Sequence, residues 1–216
     1  MKNQVDKRPG RPDKGAACHD VRSELMQIAA HLFAEKGYAS VSLKEIGSAA
    51  DVTPAMIAYY FKDKAGLLDA VMTSAFERLL EVMNQSSKVS GDTSSTELFI
   101  ERYMDFLFEK PWFPQIMSRE VMSQDTKLRT LFIENVVKRF LQTFPSIIVN
   151  DKEKGLLRSD LDPHFTILSL IGMCDFAYIS APVMGDILGY ETNSGFNKIY
   201  TQHVLNLFMR GAGTKQ

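Results

Sequence analysis

Cysteine is scarce in this sequence, with Cys18 and Cys174 the only two in 216 residues. They stand in unrelated contexts with no second ligand pair nearby. That excludes a cysteine-rich zinc site and a disulfide framework, and fits reduced thiols in a cytoplasm. The N-terminus has no apolar run, so no signal peptide is expected. The longest apolar stretch, 165–184, is interrupted by Asp175 and Pro182 and reads as a buried core helix rather than a membrane span. Charge is nearly balanced at −1; residues 1–64 carry a net +2 and the rest −3, too small an asymmetry to announce nucleic acid. No glycine-rich phosphate loop is present, and His19, His31, His164 and His203 share no motif. With no nucleophile–base–orienter set, the reading is a soluble cytoplasmic protein that is not an enzyme, with no metal, cofactor or membrane partner. No segment alternates with period two, so no sheet is expected and the fold class is all-α, with about nine or ten helices.

The informative stretch is 42–64, SLKEIGSAADVTPAMIAYYFKDK. Ser42 is a good N-cap, and Glu45 three residues on completes a capping box. Leu43, Ile46, Ala49 and Ala50 supply an apolar face. Asp51 sits where a turn needs a residue that tolerates the left-handed conformation. Val52 plugs the angle between the helices, Thr53 caps a second helix and Pro54 takes its first position. Helix, tight turn and short capped helix make a helix-turn-helix over about 43–62. On the second helix Ile57 and Phe61 point to the core. Ala55, Met56, Tyr59 and Tyr60 face the other way. The hydroxyls of Thr53, Tyr59 and Tyr60, together with Lys62 and Lys64, are suitable phosphate donors. Ala55 and Met56, at the N-terminal end, are placed to reach base edges and suit thymine methyl groups. The alternative is a short connector helix with solvated tyrosines.

With the helix before it, this stretch resembles the DNA-binding domain of the tetracycline-repressor (TetR) family of bacterial regulators. The resemblance is carried by IAAHLFAEKGY at 28–38, LKEIGSAADV at 43–52 and YYFKDKAGLL at 59–68. It departs at Asp51, where the family usually has Gly, at Ala55, where it often has Gly, and at Ala58, where it often has an aromatic. The resemblance implies a three-helix DNA-binding domain at 20–80, a larger helical effector and dimerisation domain at 81–216, and a DNA operator bound by a homodimer. It also implies release of DNA by a small molecule, here expected to be apolar or amphipathic.

Residues 1–19 are polar and broken by Pro9, Gly10, Pro12 and Gly15, and read as a disordered basic arm. Arg8 and Arg11 are suited to an A·T-rich minor groove; a solvated leader is the alternative. The first helix is expected from Asp20 to a stop at Gly37, and another, capped by Asp63, from 64 to about 84. A loop over 85–95 precedes helices at 97–109, 114–123 and 126–150, the last kinked at Pro145. Asp162 and Pro163 open a helix that is apolar all round, and a final helix covers 194–209.

A helix apolar on every face must be buried on every face. The dimer interface is therefore expected on 163–184 and 194–209, two helices from each chain, using Phe165, Leu168, Ile171, Phe176, Ile199, His203 and Leu207. Burial within one chain is the alternative. Phe106, Trp112, Phe113, Met117, Met122, Phe132 and Phe176 are the candidate lining of an effector pocket, or else ordinary core. Arg119 and Glu120 suggest an ion pair, and Asp175, in an apolar helix, needs a partner. Two other functions stay open: an activator or non-gated regulator of the same family, and a helical ligand carrier with no DNA role.

Overall fold

The computed structural model describes residues 14–87, 93–122 and 127–213. The described residues are helical throughout, joined by short turns, with a single isolated bridge between Leu157 and Gly213 in place of any strand. The helices are α1 (Lys14–Lys36), α2 (Leu43–Ala49), α3 (Pro54–Phe61), α4 (Lys64–Ser87), α5 (Ser95–Glu109), α6 (Phe113–Ile116), α7 (Lys127–Phe132), α8 (Lys138–Glu153), α9 (Pro163–Ile179), α10 (Ala181–Leu188) and α11 (Ser194–Ala212). Two wider π turns, Met117–Met122 and Ile133–Val137, prolong α6 and join α7 to α8. The all-α expectation holds.

The spine is α4. Its predicted stripe, Leu67, Leu68, Val71, Met72, Ala75, Leu79 and Val82, is buried along the whole length. Along its length α4 packs on α1 and α3 and on α5 and α8. One rigid helix therefore belongs to both the small N-terminal unit and the larger helical body.

Several helix ends shift by two or three residues, and three larger differences bear on the packing. The first helix begins at Lys14, not Asp20; Gly15, expected to break the chain, falls in its first turn, and Ala16 and Ala17 after it favour helix. Pro145 lies inside α8, and the interruption falls earlier, at the π turn 133–137. Phe144, Ile147 and Ile148 around the proline are fully buried, and that packing offsets the hydrogen bond Pro145 cannot make. The apolar helix expected over 163–184 is two helices, α9 and α10, bent by 69°. Pro182 near the start of α10 has no N–H to offer and clashes with the preceding turn. The Ser180 hydroxyl donates to Phe176 O at 2.7 Å beside the break. No single helix among the described residues is long and apolar enough to cross a membrane, although the bent pair α9–α10 passes that test by length and composition.

The larger body is tied by buried polar groups far apart in sequence. The fully buried Asp151 carboxylate, near the end of α8, accepts from the Ser94 hydroxyl at 2.6 Å and from Ser95 and Thr96 N–H at 2.8 Å. These are orphan donors of the first turn of α5, and the carboxylate caps them from another helix. Asp175 has the partner it needs: Tyr103 OH donates to its Oδ1 at 2.6 Å. Burial pushes the Asp175 carboxyl up to about 6, against a smaller lowering by the Tyr103 bond.

Candidate nucleic-acid interface

The helix-turn-helix forms from local bonds. Ser42 Oγ accepts Glu45 N–H at 3.1 Å and Thr53 Oγ1 accepts Met56 N–H at 3.4 Å. Asp51 takes φ 52°, the left-handed turn conformation the sequence called for. The capping box is only half made. Glu45 turns instead to Lys36, 2.8 Å away, since an ammonium is a stronger partner for a carboxylate than a backbone amide. Glu45's carboxyl is held below its ordinary range chiefly by that hydrogen bond. The apolar face of α2 is narrower than expected: Ile46 and Gly47 are buried, whereas Ala49 is exposed. Gly47 is needed for a reason that the sequence pattern hides. A Cβ there would lie 2.7 Å from the Val52 carbonyl oxygen, so the turn closes against bare backbone.

On α3, Ile57 and Phe61 are buried as expected, and Arg22 of α1 stacks over the Phe61 ring at 5.2 Å. The opposite face is open. Pro54, Ala55 and Met56 are exposed, and Tyr59 is 82% exposed. Tyr60 is half-buried and meets Tyr59 edge-on at 5.2 Å, which fixes the neighbouring ring. The helix ends on a γ-turn. Lys62 has φ 71° and ψ −54°, and Asp63 N–H donates to Phe61 O at 2.8 Å. That conformation is strained for a lysine, and it leaves the side chain exposed beside α3. Ser42, Thr53, Pro54, Ala55, Met56, Tyr59 and Lys62 are thus exposed on one compact unit. Arg8 and Arg11 lie outside the described residues.

Lys64 differs. Its ammonium is half-buried and donates to Tyr38 O and Val41 O, both at 2.8 Å, while lying 4.4 Å from the centre of the Tyr38 ring. It ties the start of α4 to the α1–α2 loop, an occupation the sequence reading missed. From the π turn after α6, Arg119 reaches the last turn of α1 and Glu120 reaches this loop. Arg119 Nη1 donates to Ala34 O at 3.0 Å and Glu120 Oε1 accepts Tyr38 N–H at 3.0 Å. Between them Gly37 takes φ 81°, the left-handed cap at which α1 stops.

In the larger body, five of the predicted pocket residues come together. Phe106 and Phe113 meet at 5.1 Å, Trp112 and Phe113 at 6.3 Å, and Phe76 joins both Phe113 (5.6 Å) and Phe132 (4.8 Å); Met117 is buried in the same core. Met122 and Phe176 do not join them. Met122 ends the π turn facing outward, and Phe176 lies on the outer face of α9, both strongly exposed. That outer face continues: Phe165, Leu168, Phe176, Ile199 and Leu207 are each between 57% and 74% exposed. Ile171 is half-buried and His203 exposed beside them. A cleft of about 530 Å³ separates α1 (His31, Ala34, Glu35) from Trp112, Gln115 and Arg119.

Comparison with known proteins agrees with this geometry. The family model for bacterial regulatory proteins of the tetR family matches residues 25–71, and that for the tetracyclin repressor-like C-terminal domain matches 96–204. The protein named "Probable HTH-type transcriptional regulator YttP" of Bacillus subtilis is 25% identical over 187 residues, covering 85% of this chain and 89% of that one. The HTH-type transcriptional repressor KstR2 of Rhodococcus jostii is 22% identical over 65% of this chain and 70% of its own. Among solved structures, the ketosteroid transcriptional regulator KstR2 of Mycobacterium tuberculosis superposes with a TM-score of 0.73 at 17% identity, over 90% of this chain and 95% of that one. The SmeT–triclosan complex gives 0.68 at 18%, over 91% and 93%. With both halves matched in order and the helix-turn-helix surface exposed, the chain belongs to the tetracycline-repressor family of DNA-binding transcriptional regulators.

Proposed function

We propose that this protein is a homodimeric cytoplasmic repressor without enzymatic activity. On this reading it binds a two-fold operator through residues 20–80 and is released by a small apolar or amphipathic molecule taken up within 81–216. The observation that carries the reading is the apolar stripe on α9 and α11. Phe165, Leu168, Phe176, Ile199 and Leu207 form an unburied face, whereas most other large apolar residues among those described are inside, and such a face calls for a partner. A second copy is the partner that a DNA reader needs, because two recognition helices about 34–36 Å apart meet successive major grooves. Ser42, Thr53, Tyr59, Tyr60 and Lys62 hold phosphates, and Ala55 and Met56 meet base edges. Arg8 and Arg11 enter an adjoining minor groove.

The aromatic core around Phe106, Phe113 and Phe132 supports an apolar effector, and the triclosan named with SmeT is of that chemical kind. The test is a footprint on the DNA upstream of the protein's own coding region, with and without candidate effectors, together with the mass of the protein and of its Leu168→Glu variant in solution. A dimeric parent, a monomeric variant and a footprint lost with effector support the reading. A monomeric parent that footprints a single half-site overturns it.

A further inference from the structure

The end of the DNA-reading helix is held from the larger body through the main-chain groups of one residue. Tyr38 stands in the loop between α1 and α2. Its N–H donates to Glu120 Oε1 at 3.0 Å, and its carbonyl accepts Lys64 Nζ at 2.8 Å. Lys64 opens α4 two residues after the γ-turn at Lys62 that closes α3. Each bond has one charged partner, which makes it stronger than a neutral one. A second bond from Lys64 to Val41 O at 2.8 Å and the Tyr38 ring beneath the ammonium keep the same loop from shifting independently. Arg119 steadies the approach from the side, donating to the Ala34 carbonyl at the negative end of α1.

We propose that Glu120 and Lys64 are positioning residues for DNA recognition, which hold Tyr38 between them and so set the angle at which α3 meets the duplex. Glu120 reaches Tyr38 from the π turn Met117–Met122. A π turn holds one more residue than an α turn. Repacking that turn in the larger body carries Glu120 around the helix axis and frees the Tyr38 amide. Glu120 thus gives the larger body a hold on α3 separate from the α4 rod. The inference uses the role of α3 in reading DNA and does not depend on release by an effector.

The test is a double-mutant cycle in the full-length protein, read as affinity for a duplex selected from a random pool by the unmodified protein, at several salt concentrations. Circular dichroism and melting verify that each variant is folded. Glu120→Ala and Lys64→Met are each expected to weaken binding about tenfold. The double variant is expected to lose about the same tenfold, not the roughly hundredfold of independent contacts. Glu120→Gln, which keeps an acceptor oxygen, is expected to restore affinity to within about twofold and to restore slow hydrogen exchange at the Tyr38 amide. If Glu120→Ala fails to fold, Glu120→Asp, which withdraws the oxygen by one methylene, takes its place in the cycle. Losses that multiply in the double variant overturn the proposal, as does unchanged affinity in Glu120→Ala. So does a log–log salt slope reduced by about one unit in Lys64→Met, the signature of a direct phosphate contact.

Discussion

The N-terminal unit and the larger body are both helical, but their polar bonds work over different ranges. In the helix-turn-helix, the caps join residues three apart: Ser42 to Glu45, Thr53 to Met56 and Asp63 to Gly66. In the body, side-chain bonds that are buried or partly buried span 57 residues from Ser94 to Asp151, 72 from Tyr103 to Asp175 and 92 from Asn197 to Asp105. The first kind forms as the chain turns, and the second exists only after the helices have docked. The turn and caps of the DNA-reading unit therefore form locally, although its seating also uses the long-range bonds of Glu120 and Arg119, while the body depends on a few polar groups whose loss should be felt through the whole domain.

The sharpest way to break that contrast is Asp151→Ala. It leaves the Ser94 hydroxyl and the Ser95 and Thr96 amides buried without their acceptor. Stability to urea should fall by about 3–5 kcal/mol, against the roughly 1 kcal/mol expected when a local cap such as Ser42 is removed. Equal losses for the two variants would erase the distinction.

Asp175→Asn should act in the opposite direction. The folded carboxyl sits at about 6 against an ordinary 3.8, so the fold prefers the protonated acid, and stability is lost as pH rises from near 4 through 6. The amide stays neutral and can still accept from Tyr103. Above pH 6 the variant should therefore be the more stable, by at most about 3 kcal/mol, and below pH 4 the two should coincide. Melting curves across pH 3.5–8 measure this, and a constant difference at all pH values would be the wrong outcome.

Within the DNA-reading unit the effects should be smaller. Gly47→Ala puts a methyl 2.7 Å from the Val52 oxygen and should cost about 2 kcal/mol, with operator affinity falling as the turn opens. The smallest change is Lys62→Gly. It relieves the strained γ-turn at φ 71° and should stabilise by about 1 kcal/mol. The lost ammonium should weaken binding to specific and random duplexes alike. A variant that melts lower than the parent would show that the lysine's stem matters more than its backbone.

The parts of the site legible in the sequence are those that short-range chemistry fixes. Thr53 with Pro54 marks the start of α3, Asp51 marks the turn, and the spacing of Ile57 and Phe61 marks the buried side. Gly47 escaped because its role depends on how near Val52 O comes, and nothing in a string of residues gives that distance. Lys64 read as a phosphate donor because an exit lysine beside a DNA helix is usually solvated. What the sequence did not show is that its ammonium bonds two carbonyls of the α1–α2 loop.

The sequence by itself determined the helical class, the helix-turn-helix and its exposed face, and the buried stripe of α4. Each follows from caps, turn residues and a 3.6-residue period acting over a few neighbours. Tertiary structure alone decided where the body's buried charges find partners, that Met122 and Phe176 face outward rather than into the aromatic core, and that Glu120 reaches Tyr38. These depend on which helix faces meet across 56 to 92 residues of chain. Pairings of that range are set by packing, because the loops between them leave many alternatives until the core closes.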